Sequence, residues 1–129
     1  MKKIVIVDDE VHIRSLLEQT MENLEYELDI EVEVKQAENG QVGLELITKE
    51  VPDLVFLDVM MPLMNGYDVC RMVRENNEFK EVVIVMLTAK GQETDKEKGF
   101  EHGVNYFMTK PFDPDEVLEL AGKILGKEE

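Results

Sequence analysis

Leu54-Val55-Phe56-Leu57-Asp58 is an apolar run that stops on a carboxylate, and its reading decides the fold. Apolar residues in unbroken succession, without polar alternation, suit a central strand of a parallel sheet covered on both faces. Ile4 to Val7, which runs into Asp8-Asp9, and Val82 to Leu87, which runs into Thr88, have the same character. Ile30-Glu31-Val32-Glu33-Val34-Lys35 alternates strictly instead. One wet face predicts an edge strand, and its charges discourage edge-to-edge pairing. Asn105 to Thr109, just before Lys110, is a fifth and weaker strand candidate.

Helical patterns separate these runs. Val11 to about Leu24 places Ile13, Leu16, Leu17, Met21 and Leu24 on one stripe. Val42 to Lys49 offers Val42, Leu44, Leu46 and Ile47, and Gly66 to Arg74 offers Val69, Met72 and Val73. The last helix has Asp113 as its expected N-cap and Pro114 at its first position, with Val117, Leu120, Ala121 and Ile124 turned inward. Gln92 to Glu101 is mostly polar with Phe100 as its one large apolar residue, so a helix there has little to bury.

The order is strand then helix, five times over. It predicts an α/β fold of three layers, with five helices on both faces of a doubly wound parallel sheet. The alternating second strand belongs at an edge, which points to the order 2-1-3-4-5. Ligands of such sheets bind beyond the carboxyl ends of the strands, where the order reverses.

Asp8-Asp9, Asp58, Thr88 and Lys110 all follow strand ends, so the fold is expected to gather three carboxylates, a hydroxyl and an ammonium at one rim. Carboxylates held together repel unless a proton or cation intervenes. Hard oxygen ligands with open positions suit Mg²⁺, for which Mn²⁺ can substitute. A carboxylate beside such an ion can attack phosphorus and form an acyl phosphate, with Lys110 and Thr88 stabilising charge on the equatorial oxygens. Taken singly, each residue has a plainer reading: a turn or helix cap for Asp8-Asp9, a structural strand end for Asp58, a cap for Thr88, a solvated charge for Lys110. Their joint placement favours chemistry.

Composition sets limits. The 129 residues suit one domain, 43% of them hydrophobic, and no stretch approaches the length of a membrane span. A cytoplasmic protein is expected. The net charge of −15 argues against direct nucleic-acid binding. Glu18, Glu22, Glu25, Glu27, Asp29, Glu31 and Glu33 form an acidic run that reads as a solvated face, or else as a docking surface for a basic partner. The lone cysteine, Cys70, reads as an inert packed thiol rather than a redox centre. His12 reads as a surface residue of the first helical turn and His102 as a polar residue at a helix end.

Val5-Ile6-Val7-Asp8-Asp9-Glu10, Asp58 to Gly66, Leu87-Thr88-Ala89 and Thr109-Lys110-Pro111-Phe112 together resemble the receiver domains of two-component response regulators, in particular single-domain chemotaxis-type receivers. The spacings fit too: 49 positions from Asp9 to Asp58, 30 on to Thr88 and 22 more to Lys110. The resemblance covers the whole chain, 1–129, and implies a flavodoxin-like fold. It implies that Asp58 accepts a phosphoryl group from a sensor histidine kinase or histidine phosphotransfer protein. Asp9 and Asp58 would then bind Mg²⁺ directly, Asp8 through water, with the Met60 carbonyl completing the set. By the same resemblance Thr88 moves to the phosphoryl group, Lys110 pairs with it, and the Lys110–Pro111 bond is cis.

The resemblance further implies an aromatic switch at Phe107, for which plain edge packing is the simpler reading. Phe107 lacks the hydroxyl of a tyrosine at that place. The output face would be the Gln92 helix, the fifth strand and the last helix. Met60 and Lys90 would tune hydrolysis, and since Met60 cannot activate water, slow self-dephosphorylation is expected. Such a protein is not a conventional enzyme; it catalyses its own Mg²⁺-dependent phosphorylation. It would be a monomer or a weak phosphorylation-dependent dimer, and the charged end after Ile124 reads as that of a stand-alone receiver, the alternative being a piece of a longer regulator. Glu25 to Glu33 looks a few residues longer than the family shows.

Three rival readings are weaker. A receiver-like module working by constitutive contacts has no need of intact Asp58, Thr88 and Lys110. A flavodoxin-type cofactor protein needs a Gly/Ser/Thr loop after the first strand, where this chain has Asp-Asp-Glu-Val. An aspartyl phosphatase of the haloacid dehalogenase type wants Asp-x-Asp on its first strand, whereas Asp8 and Asp9 are adjacent.

Overall fold

A computed structural model describes residues 1–89 and 101–126. Strands β1 (Lys2–Val7), β2 (Val32–Ala37), β3 (Leu54–Asp58), β4 (Val83–Ala89) and β5 (Tyr106–Lys110) form one sheet in the order 2-1-3-4-5. All four pairings are parallel. Helices α1 (Val11–Leu28), α2 (Gly40–Glu50), α3 (Gly66–Arg74) and α4 (Pro114–Leu125) cover it, and a 3₁₀ turn spans Asn77–Phe79. The expected helix from Gln92 falls, but for Glu101, outside the described residues, as does Lys90.

Because successive side chains of a strand point to opposite faces, each central strand feeds two cores. Val5, Val7, Val55, Leu57, Ile84 and Met86 meet Ile47 of α2 and Val69, Cys70 and Val73 of α3. Ile4, Ile6, Leu54, Phe56, Val85 and Leu87 meet Leu17, Met21 and Leu24 of α1 and Val117, Ala121 and Leu125 of α4. This accounts for the unbroken apolar runs of β1, β3 and β4. The edge strand β2 touches one core through the partly buried Val32 and Val34 and the other only through Ala37 at its end.

Several expectations are corrected in detail. Helix α1 continues one turn past Leu24 to Leu28, so the long Glu25–Glu33 segment begins as helix. Asp29 closes it in the left-handed region at φ 57°, and the N–H groups of Asp29 and Ile30 both reach the Leu24 carbonyl. That closure uses Ile30, so β2 begins at Val32 rather than Ile30. Val42 is exposed, because Gly43 is the residue of α2 that presses on the sheet; a Cβ there would stand 2.7 Å from Val7 Cγ1. Met72 is exposed while Cys70 takes the inward place. Leu125, read as tail, is buried in the last turn of α4, and Leu120 and Ile124 are only partly buried.

Caps fix the helix starts. The side chains of Asn39, Asn65 and Asp113 accept from the N–H groups of Val42, Asp68 and Asp115, satisfying donors that a first turn leaves unpaired. At the opposite end of the sheet from the acidic rim, Arg74 donates to the carbonyls of Gly103, Phe79 and Val82 and to Asn105 Oδ1. It thereby ties the end of α3 to the starts of β4 and β5.

Candidate functional site

The carboxyl ends of β1, β3, β4 and β5 bring together the residues that the sequence marks. Asp8 follows β1, held there because its N–H continues the ladder to the Ala37 carbonyl at 3.1 Å. Asp58 ends β3, Thr88 is next to last in β4 beside Thr109, and Lys110 ends β5 beside Ala89. Asp8 and Thr88 are fully buried and Asp58 is 5% exposed, whereas Asp9 is exposed. Asp9, Glu10, Asp58, Met60, Ala89 and Lys110 line an open cleft of about 270 Å³.

Lys110 is the hub. Its ammonium lies 2.9 Å from Asp8 Oδ2, 3.2 Å from Glu10 Oε1 and 3.3 Å from Asp58 Oδ1. The contact with Glu10 is a hydrogen bond; the closer one with Asp8 is an ion pair, which leaves Asp8 Oδ2 buried without a hydrogen bond. Asp8 Oδ1 accepts from the Glu10 N–H at 2.9 Å. The Lys110–Pro111 peptide bond is cis.

One ammonium faces more negative charge than it can neutralise. Burial first, and then the neighbouring charge of Asp8, push the Asp58 carboxyl up to about 6 despite Lys110. Burial likewise raises Asp8 above the usual carboxylate range, against the pull of Lys110 and of the Glu10 N–H. Burial works to lower Lys110, but Asp8, Asp58 and Glu10 together raise it, so it stays charged. A second cation in the cleft would relieve both carboxylates.

The donor set suits a hard divalent ion. Carboxylate oxygens of Asp8, Asp9 and Glu10 lie within 4.8 Å of one another, and the buried Asp8 Oδ2 meets the Lys110 ammonium, which it shares with Asp58 and Glu10. Glu10 is the member the sequence reading left out of its candidate set. It serves as N-cap of α1 without a side-chain cap bond, and its carboxylate turns to Lys110 instead.

Gly66 shapes the floor. A Cβ at Gly66 would stand 2.4 Å from the Asp58 carbonyl oxygen, and the Gly66 N–H bonds the Val59 carbonyl at 2.9 Å. The loop between them carries Met60, 64% exposed, and Leu63, 97% exposed with φ 72°.

Thr88 and Phe107 share the sheet face of α2 and α3, since Thr88 pairs with Thr109 and Met86 with Phe107. The Thr88 hydroxyl reaches the Met108 carbonyl at a long 3.5 Å. Phe107 is partly buried against the core of that face, while Tyr106 packs on the opposite one. Cys70 is buried, with its thiol pushed up to about 11 by that burial and its sulfur 3.1 Å from the His102 carbonyl, as an inert packed thiol should be. His102 itself stacks obliquely with Tyr67 at 6.2 Å between ring centres.

Among the described residues, no helix is long and apolar enough to cross a membrane. A family model described as the response regulator receiver domain matches residues 4–121. The transcriptional regulatory protein ResD of Bacillus subtilis is 42% identical over 116 residues, which cover 90% of this chain and 45% of that protein. The alkaline phosphatase synthesis transcriptional regulatory protein PhoP of the same organism is 41% identical over 128 residues, covering 99% of this chain and 50% of that one. The chain thus spans about half the length of the curated relatives it matches. Among solved structures, the chemotaxis response regulator CheY4 of Vibrio cholerae superposes with a TM-score of 0.84 at 30% identity, covering 97% of this chain and 99% of that one.

Proposed function

The chain belongs to the response regulator receiver family, whose members partner with histidine kinases, and on that premise we propose that Asp58 is its phosphoacceptor. The donor is a phosphohistidine on a kinase or a histidine phosphotransfer protein. The observation that carries this reading is the Asp58 carboxylate itself. It is buried but for an opening on the cleft, with Lys110 at 3.3 Å and the acidic loop alongside.

In the transfer, an Asp58 carboxylate oxygen forms a bond to phosphorus while the bond from phosphorus to imidazole nitrogen breaks, and the departing imidazole takes up a proton. Lys110 stabilises charge on the phosphoryl oxygens, which matters more in a cleft with buried walls than in open water. Asp8, Asp9 and Asp58, with the Met60 carbonyl, would hold Mg²⁺, and Glu10 stands close enough to join them. That ion supplies neutralising charge for the carboxylates and for the transferring group.

The acyl phosphate adds about −1.5 to −2 charge and three acceptor oxygens. Thr88 gives up its long bond to Met108 for one of them, and Phe107, on the same face, repacks into the space. The surface that changes is that of β5 and α4, and a protein partner reads it. This chain does not itself bind nucleic acid; a net charge of −15 opposes it. A cytoplasmic location follows from the kinase partner.

Incubation with Mg²⁺ and acetyl phosphate, followed by intact mass, tests the core of the reading. Wild type gains one phosphoryl group and Asp58→Ala gains none. Equal labelling of the two, or none of either, removes Asp58 from the role.

A further inference from the structure

Arg14 is oddly placed. It sits in the first turn of α1, where a cation opposes the positive end of the helix dipole, and the carboxylate of the N-cap, Glu10, is turned to Lys110. The side chain is nevertheless committed: Nη1 donates to the Asp8 carbonyl at 2.8 Å and Nε donates to Gln36 Oε1 at 3.1 Å. Gln36, on the edge strand, is joined in turn to Glu18.

The Asp8 carbonyl is the point where β1 runs out. Beyond it the chain must turn so that Asp8, Asp9 and Glu10 present their carboxylates together. Contacts that fix that turn are Asp8 N–H to the Ala37 carbonyl, Glu10 N–H to Asp8 Oδ1, Arg14 N–H to the Glu10 carbonyl, and the Arg14 guanidinium to the Asp8 carbonyl. Lys110, which also reaches the loop from outside, holds the Asp8 and Glu10 carboxylates, whereas the Arg14 side chain holds the backbone.

We propose that Arg14 is a positioning residue for the divalent cation: by holding the Asp8 carbonyl it presets the acidic loop for binding. The inference rests on the cation reading given above. Groups that orient a metal's ligands without touching the metal typically matter about 10- to 100-fold in affinity. Arg14 is placed to be such a group, whereas its bond to Gln36 is a tie to the edge strand.

The test is Mn²⁺ binding to the unphosphorylated full chain, read from the paramagnetic resonance of free Mn²⁺, with thermal melts alongside. Arg14→Met keeps the apolar stem and removes every donor; it is expected to raise the dissociation constant about tenfold. Arg14→Lys restores one donor and should recover most of the affinity. Gln36→Ala cuts the second contact, together with the bond to Glu18, but leaves the Arg14–Asp8 carbonyl bond; it should bind within about twofold of wild type, whatever it does to the melting temperature.

Equal Mn²⁺ affinity in folded Arg14→Met and wild type overturns the proposal. So does an equal loss in Gln36→Ala, which would make Arg14 a staple of the sheet and nothing more. If neither Arg14→Met nor Arg14→Gln melts cooperatively, Arg14 is a folding residue and the assignment falls. Failure of wild type to bind Mn²⁺ would instead sink the cation reading, and this inference with it.

Discussion

The Lys110 ammonium stands 3.3 Å from the Asp58 carboxylate and reaches it from a strand that is two places away in the sheet. Removing it leaves the buried Asp8 and Asp58 carboxylates without their shared cation. Lys110→Met is expected to slow acetyl-phosphate labelling at saturating Mg²⁺ by about 100-fold, the usual scale for losing one preorganised charge donor. Time-resolved intact mass gives the rate. A loss smaller than about fivefold would mean that Lys110 is a structural ion-pair partner and not part of the transfer.

Stability in the absence of metal should fall as pH rises through the acid range. The folded Asp58 carboxyl titrates at about 6 against an ordinary 3.8, because of burial first and Asp8 second. Between those values the folded protein keeps a proton that the unfolded chain has lost, so each step up in pH favours unfolding. The contribution is whole below the ordinary value and gone above the folded one, and a shift of about two units amounts to about 3 kcal/mol. Urea titrations of wild type and Asp58→Asn across that window check it. The variant should show the flatter profile, reduced and not level, since burial raises Asp8 as well. Parallel profiles would show that the carboxyl is not shifted.

Gly66→Ala should cost stability and disturb the acceptor at once. The added methyl would meet the Asp58 carbonyl at 2.4 Å, which is backbone and cannot swing aside. A loss of about 1–3 kcal/mol in urea is expected, the range for overpacking, with slower labelling of Asp58. Gly126→Ala, at the C-cap of α4 and far from the acidic rim, is the control for a general glycine effect and should leave labelling unchanged.

How much of this was legible in the sequence depends on which physical signal each residue carries. Apolar runs that stop on Asp58, Thr88 and Asp8 mark both strand and strand end, and topology then places them on one rim. Val42 and Met72 stand outside because helical spacing alone does not fix which residues of a turn face the sheet; Gly43, pressed on Val7, and the buried Cys70 take the inward places. Glu10 carries no such signal, since its place depends on Lys110, 100 positions away. Arg14 and Arg74 were invisible for a related reason. Their partners are mostly backbone carbonyls, and no residue type records those.

Leu63 is strained and exposed together, and relieving it should stabilise the protein. Its φ of 72° places a branched side chain in the left-handed region, while 97% exposure returns nothing in packing. That conformation costs an ordinary L-residue about 1–2 kcal/mol, and Asn tolerates it best after Gly. Leu63→Asn is expected to raise the unfolding free energy by about 1 kcal/mol. Chemical denaturation measures it, and a destabilised variant would show that the leucine packs in a way its exposure denies.

Phosphoryl lifetime is expected to turn on Met60. Its side chain lines the cleft beside Asp58 and is 64% exposed, so it flanks one open approach to the acceptor. A thioether accepts hydrogen bonds weakly and donates none, so it cannot orient that water or take its proton. Hydrolysis of the acyl phosphate should therefore be slow, with a half-life of minutes or longer once the donor is removed. Met60→Glu offers a carboxylate at the same approach and should shorten the lifetime about tenfold, a modest share of what a positioned base supplies. Decay is followed by intact mass after rapid desalting, in wild type and variant under the same Mg²⁺. Wild-type decay within seconds would place another group on the water, and an unchanged rate in Met60→Glu would show that this flank of the cleft is not the water's path.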